Sequence, residues 1–327
     1  MTRPTIYTIA EHLGVSPSTV SRAFSRPEKV SPAVRERVMA TAAALGYEPY
    51  TPARQLATGR NNLLGVLMQD VTNPFIPPLL RAIRVAARAQ GIEVMFIDTD
   101  EAPTSEERLI RQVKNQVDAF IMASPRSDPE ALLDAIGEKP AVCINRTLPG
   151  LPATYCDDDD ALFAAVGHLK MLGHGHVALL EGPADSWVAR RRSSASREAS
   201  DHLGVKLTSI GHYPASFEGG SQAAPALARS GATAVLSFDD VTACGLIAGL
   251  HVIGLRVPAD FSLIGCDDVA LAAMVTPQLT TLTAPVQELG ATAVELVNAR
   301  IRKPGTPPLV VPIRSTLTVR GTTAARS

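Results

Sequence analysis

The residues near the start of the chain that are equipped for chemistry are concentrated in 14–25, GVSPSTVSRAFS, where four serines, a threonine and one arginine sit among small apolar side chains. At helical spacing Pro17, Ser18, Ser21, Arg22 and Ser25 share a polar side, which leaves Val20, Ala23 and Phe24 to pack inward. Short hydroxyls let a helix sink into the DNA major groove, about 12 Å wide, where an arginine bonds guanine or phosphate. The same residues leave open a three-helix module that binds another protein. Charge favours an anionic partner, because residues 1–60 carry eight basic and four acidic side chains against 23 and 28 in the remainder. A net +4 head precedes a net −5 body, although the whole chain is nearly balanced.

A second set of polar residues follows short apolar runs: positions 70–75, Ser124, Asn145 and Arg146, Asp239 and Asp240, Asp267 and Asp268. The runs are LLGVLMQ (63–69), IEVMFID (92–98), DAFIMAS (118–124), PAVCIN (140–145), HVALLE (176–181), ATAVLSF (232–238) and FSLIGCD (261–267). They read as strands alternating with amphipathic helices near 76–90, 104–116, 159–172, 187–203 and 240–253. Strands that are apolar almost throughout and separated by helices indicate parallel sheets covered on both faces. Two such series predict two doubly wound α/β lobes, with the ligand site in the cleft beyond the carboxyl ends of their strands.

The elements that must present residues 14–25 are three short helices. Ile6, Ile9, Ala10 and Leu13 keep helical spacing up to Gly14, and the pairs Ser16-Pro17 and Ser31-Pro32 each supply an N-cap hydroxyl and a first-turn proline. Val34, Val38, Ala42 and Leu45 line the third helix, which Gly46 ends. Only Gly14, Val15 and Ser16 separate the first two helices, a helix-turn-helix arrangement. The next segment, YEPYTPARQLATGRNN, repeats no apolar face and reads as a linker with room for one short helix.

Other features point away from catalysis and metals. No Walker loop, GxGxxG after a strand or GxSxG elbow occurs, so no catalytic residue and no cofactor is expected. His174-Gly175-His176 lacks a third ligand nearby, and Asp157 to Asp160 are expected as N-caps and dipole partners of the following helix, so no metal is expected either. Cys143, Cys156, Cys244 and Cys266 are widely spaced and expected as free thiols. With neither a leader pattern nor an apolar run of about 18 residues, a cytoplasmic chain without membrane contact is expected.

TIYTIAEHLGVSPSTVSRAFSRPEKVSPAVRERVMATAAALGYEP, followed by ARQLATG, resembles the head and hinge of the lactose/galactose-repressor (LacI/GalR) family of bacterial transcription regulators. The resemblance continues through NLLGVLMQDVTNPF, HLKMLGHGHVALLEGP, GLRVPADFSLIGCDD and PQLTTL, nearly the whole chain. It implies a small all-α helix-turn-helix DNA-binding head (1–46), a hinge with a hinge helix (47–61), and an effector-binding and dimerisation body (62–327) resembling periplasmic binding proteins. The N-lobe would take about 62–157 plus 285–312, and the C-lobe about 158–284 plus the C-terminal strand. The family is regulatory, not enzymatic, so the resemblance implies a repressor that binds a palindromic double-stranded DNA operator as a homodimer under control of a small ligand. The heptad tail of tetrameric members has no counterpart in TVRGTTAARS.

Carried over by motif, Thr5, Ser16, Pro17, Ser18, Ser21 and Arg22 would lie at or near DNA with Ala53 and Arg54, and Leu56 would wedge between base pairs in the minor groove. The effector contacts would be Phe75, Asn145, Arg192, Asp239 and Asp267; Trp187, five residues before Arg192, is a further candidate with core packing as its alternative. Such residues suit a sugar or sugar derivative, with a nucleoside or purine as the alternative. Departures from the family pattern stand at Ala195, Ser196 and Ala284, and the run Arg190, Arg191, Arg192 leaves the register of the pocket arginine open. A solute-binding protein and a two-lobed enzyme are the competing classes.

Overall fold

A computed structural model describes residues 4–25, 29–47, 61–100 and 103–326. They form two compact units, one up to Asn61 and one from Asn62. In the first unit, α1 (Ile6–Leu13) starts at a capping box: the Thr5 hydroxyl accepts the Thr8 amide, and the Thr8 hydroxyl accepts the Thr5 amide at 3.2 Å. Gly14, at φ 64°, closes the helix in the left-handed conformation that glycine adopts without a Cβ clash. The Ser16 hydroxyl accepts the Thr19 amide at 3.2 Å and starts α2 (Pro17–Ser25). At α3 (Pro32–Ala44) the expectation fails, since the Ser31 hydroxyl makes no capping bond and only its carbonyl takes the Arg35 amide. The preset φ of Pro32 is what suits that start. Ile9, Val20 and Val38 are fully buried with Ala10, Ala23 and Ala42, and Phe24 meets the Tyr47 ring at 5.7 Å. The expected hinge helix, with Ala53, Arg54 and Leu56, lies outside the described residues.

The second unit begins with β1 (Leu63–Met68), α4 (Ile76–Ala89), β2 (Glu93–Asp98), α5 (Pro103–Val113), β3 (Ala119–Ala123), α6 (Pro129–Ile136), β4 (Ala141–Ile144) and β5 (Ala153–Asp157). It continues through α7 (Asp159–Met171), β6 (His176–Glu181), α8 (Trp187–Leu203), β7 (Lys206–His212), α9 (Phe217–Arg229), β8 (Ala234–Ser237) and α10 (Asp240–Val252). It ends with β9 (Ser262–Asp267), α11 (Ala270–Met274), β10 (Thr280–Thr283), α12 (Val286–Arg302), β11 (Val310–Arg314) and β12 (Thr316–Thr318). Among the described residues these strands make two six-stranded sheets, ordered β11-β5-β4-β3-β1-β2 and β12-β10-β9-β8-β6-β7, parallel throughout except for β12 against β10. The fold is a helical head with two parallel α/β sheets.

Strand burial explains the apolar runs. In β1, Leu64, Val66 and Met68 join a core with α4 and α12, whereas Leu67 points to the opposite layer with Ile110 and Leu132. Both faces are covered, so neither needs polar residues. The chain passes between the sheets three times: from β5 to α7, from β10 to α12, and from β11 to β12.

In the second lobe α9 and α10 touch backbone to backbone. A Cβ on Gly245 would collide with the Phe217 carbonyl, and one on Gly220 with the Thr242 carbonyl. Pro225 within α9 has no amide for the Ser221 carbonyl, which lies instead against Gly249. Overpacking such a contact typically costs about 1–3 kcal/mol. Gly245→Ala is therefore expected to destabilise the body by about 2–3 kcal/mol, read as a lower urea midpoint with an unchanged m-value.

Candidate functional site

The carboxyl ends of the strands of both sheets open on one cleft. From the first lobe, Asp70, Asn73 and Phe75 follow β1, Ser124 follows β3 and Asn145 follows β4. The loop before α4 is built by side-chain turns: the Asp70 carboxylate accepts the Thr72 amide at 2.7 Å and its hydroxyl at 2.6 Å, and Asn73 Oδ1 accepts the Phe75 amide at 3.0 Å. Asn145 Oδ1 accepts the Cys156 amide at 3.0 Å, fixing the side chain between two strands. From the second lobe come Arg192, Phe238, Asp239 and Asp267. Ser124, Asn145 and Asp267 have φ of 51°, 54° and 105°, backbone that costs energy in residues other than glycine and is typically retained at functional sites.

Arg192 organises the second lobe's wall. Its Nε donates to Asp158 Oδ2 at 2.8 Å, Nη1 to the Phe238 carbonyl at 2.9 Å and Nη2 to Asp267 Oδ1 at 2.7 Å. Burial opposes its charge, but Cys266 together with the carboxylates of Asp267 and Asp158 outweighs burial and holds the group above its ordinary range. The register left open by the arginine run is resolved by geometry. Arg191 pairs with Asp157 and Asp159 outside the cleft, and Arg190 donates to the Ala184 carbonyl. The middle of α8 is tied to β6 and β7 by Glu181, which accepts from Ser193 at 2.6 Å, Arg197 at 2.9 Å and Ser209 at 2.5 Å.

The cleft thus gathers Phe75, Asn145, Arg192, Asp239 and Asp267 but not Trp187. That indole packs edge-on to Tyr155 at 5.3 Å, with the Arg191 guanidinium 4.7 Å from the Tyr155 ring centre. The acids at 157–160 also differ from expectation: Asp158 stands at the N-cap of α7 without a side-chain capping bond, because its oxygens go to Arg192 and Ser315. Sequence reasoning passed over Asp158 for that reason, and Phe238 because it closes an apolar run. His174 bonds Thr233 and Ser262, His176 bonds Gly231 and Thr208, and no cluster suited to a metal occurs among the described residues. The cysteines are free thiols. No helix among the described residues is long and apolar enough to cross a membrane.

On the head, Thr5, Ser16, Ser18 and Arg22 are exposed, and Pro17 and Ser21 are half-buried. Ser16 Oγ lies 2.8 Å from Ser18 Oγ and 2.9 Å from Thr19 Oγ1, so the hydroxyls at the start of α2 form one cluster. Tyr7, 67% exposed, is a polar-tipped aromatic that the apolar spacing of α1 gave no reason to single out.

Residues 5–50 match the family of bacterial regulatory proteins, lacI family, and residues 166–323 match a periplasmic binding protein-like domain. The chain is 32% identical over 299 residues to the HTH-type transcriptional regulator DegA of Bacillus subtilis, spanning 88% of this chain and 89% of that one. It belongs to the lacI family. This lacI-family chain is similar to the Lac repressor dimer bound to operator and the anti-inducer ONPF, at 27% identity and TM-score 0.86, covering 99% of this chain and all of that one. It is also similar to a LacI-family transcriptional regulator from Enterococcus faecium with bound ribose, at 28% identity and TM-score 0.72, covering 81% of this chain and all of that one. It is a helix-turn-helix transcriptional regulator with an effector-binding body, not an enzyme.

Asp239 in the cleft wall and its buried neighbour Asp240 carry a pH signature. Burial, reinforced by Asp267, pushes Asp239 up to about 6 and Asp240 up to about 8. Asp240 accepts the Thr281 hydroxyl at 2.5 Å and the Val269 amide at 2.8 Å. A carboxyl raised in the folded state keeps a proton that the unfolded chain releases, so its contribution is present in full below the unfolded pKa and lost as pH rises towards the folded one. The slope is at most about 1.4 kcal/mol per pH unit. Asp240→Asn stays neutral and is expected to lose less stability than the wild type between pH 5 and pH 8, measured by urea denaturation at each pH.

Proposed function

We propose that this lacI-family regulator is a repressor that binds a palindromic operator as a homodimer, with α2 in the major groove and release or recruitment set by a small ligand in the cleft. The supporting observation for the head is the exposed hydroxyl cluster beside Arg22 on a helix whose other face is core. Two heads supply two half-sites, because one short helix covers too little DNA for specific affinity. Ala53, Arg54 and Leu56 join the contacts as a proposal carried by the family pattern, and so do the domain limits 1–46, 47–61 and 62–327.

For the effector we propose a neutral polyhydroxylated ligand of the sugar class, in line with the ribose of the Enterococcus relative. Asn145, Asp239 and Asp267 offer acceptors to paired hydroxyls, and Phe75 and Phe238 offer apolar faces. An anionic sugar acid is disfavoured, since Arg192 already faces the carboxylates of Asp158 and Asp267. The cavity is ≈ 80 Å³, smaller than typical ligand pockets of about 300–1,000 Å³, so a ligand enters only as the lobes part or the lining moves. That links occupancy to lobe arrangement.

Calorimetric and thermal-shift titration with ribose, cellobiose, their acid derivatives and nucleosides tests the effector class; binding confined to nucleosides or acids would reject it. Arg22→Ala is expected to weaken operator binding by about 1–3 kcal/mol while leaving ligand affinity unchanged. Asp267→Asn is expected to keep operator affinity and lose the ligand response. Equal loss of both functions in either variant would show that the two sites are not separate. Binding to random duplex should fall steeply with salt, and a flat salt dependence would argue against DNA as the partner.

A further inference from the structure

The three chain passages between the lobes are Asp157 to Asp159, Thr283 to Val286 and Arg314 to Thr316. Two of them meet at one buried carboxylate. Asp158 Oδ1 accepts the Ser315 hydroxyl at 2.6 Å, and Oδ2 accepts Arg192 Nε at 2.8 Å. Ser315 also donates its amide to the Asp157 carbonyl at 3.0 Å. The third passage is reached through the same guanidinium, because Arg192 Nη2 bonds Asp267 and the Asp267 carbonyl accepts the Ala284 amide at 3.4 Å. An unbroken path of hydrogen bonds therefore joins the cleft wall to all three passages.

We infer that Asp158 is a positioning residue: its carboxylate makes the place of the Arg192 guanidinium and the geometry of the lobe passages one coupled arrangement. A ligand that draws on Arg192 or Asp267 then acts on the passages directly. This rests on the cleft being the effector site. Two observations favour it over a purely local cap. An aspartate at a helix N-terminus ordinarily accepts the amides of the first turn, yet Asp158 gives neither oxygen to them. Its side chain and that of Arg192 are 7% and 9% exposed, so water does not replace a lost partner and a change at one end is felt at the other.

The test needs no ligand. In the full chain labelled with nitrogen-15, Ser315→Ala is expected to speed exchange of the Arg192 Nε proton about tenfold, the effect of losing one hydrogen bond to a charged group. Arg192→Met is expected to speed exchange of the Ser315 amide to a similar degree, while the amides of Ile121 and Leu236 in the sheet cores keep their rates. With Asp158→Asn already in place, Ser315→Ala should change Arg192 no further. An unaltered Arg192 Nε proton in Ser315→Ala, a conservative variant that removes one hydroxyl, would overturn the inference. Equal acceleration at Ile121 and Leu236 would overturn it as well, since that is general destabilisation. Because no ligand is present, this outcome is independent of the sugar titrations.

Discussion

A guanidinium shut away from water must have its charge balanced within a few ångströms, and most of the second lobe's wall follows from meeting that constraint at Arg192. Desolvating an ion costs several kcal/mol, and removing one partner of a buried pair costs about 3–5 kcal/mol. Arg192 is supplied with two carboxylates and a carbonyl, each from a different part of the chain: the start of α7, the end of β9 and the loop after β8. Three separate segments must therefore be in place before the charge is tolerated. The Glu181 network on the next turn of α8 serves the same end, because Ser193 and Arg197 hold the helix to β6 and β7 at the height where Arg192 reaches the cleft.

The sheets explain why these groups converge. Parallel strands all end on one side, and each end must turn sharply into a helix that packs on one face. Ser124, Asn145, Asp267 and Asp268 take up left-handed backbone at those ends, where asparagine and aspartate bear the conformation better than most side chains. Polar residues able to hydrogen-bond locally are thus required by the turns before any ligand is considered. The cleft lies where two such sets of ends open together, and the turn chemistry supplies its donors and acceptors.

The sequence displayed some of this and concealed the rest for definite reasons. Seven strands were legible: six are buried on both faces and so form continuous apolar runs, and the edge strand β2 is apolar at four of its six positions although Phe96 is exposed. β5 (ATYCD), β7 (KLTSIGH) and β10 (TTLT) were not, since they are short or half polar; β11 is mostly exposed, and the three-residue β12 was expected only as the C-terminal strand that the family resemblance implies. Phe75, Asn145, Arg192, Asp239 and Asp267 were placed by strand ends and by family motifs. Trp187 was misplaced because proximity in sequence to Arg192 says nothing about which side of α8 a side chain takes; the helix turns it towards Tyr155. Asp158 was read as a cap from its position, and only three-dimensional contact shows its oxygens committed elsewhere. Similarly, Ser31 has the sequence of a cap without the bond.

A ligand shifts a two-state equilibrium only through a difference in its affinity for the two states. In a body whose pocket and hinge are separate, that difference would have to arise at a distance. Here Asp267 is at once a cleft residue, an anchor of Arg192 and, through its carbonyl, a partner of the passage into α12. If the coupling inferred for Asp158 holds, a lobe movement that alters the passages would also alter the hydrogen bonds among Asp158, Arg192 and Asp267, and the cleft would differ in shape between the two arrangements. A ligand fitted to one shape would then bind the other less well. Under the proposed function, differential affinity would follow from where the pocket is built, and the sign of the response would depend on which spacing the ligand's hydroxyls match.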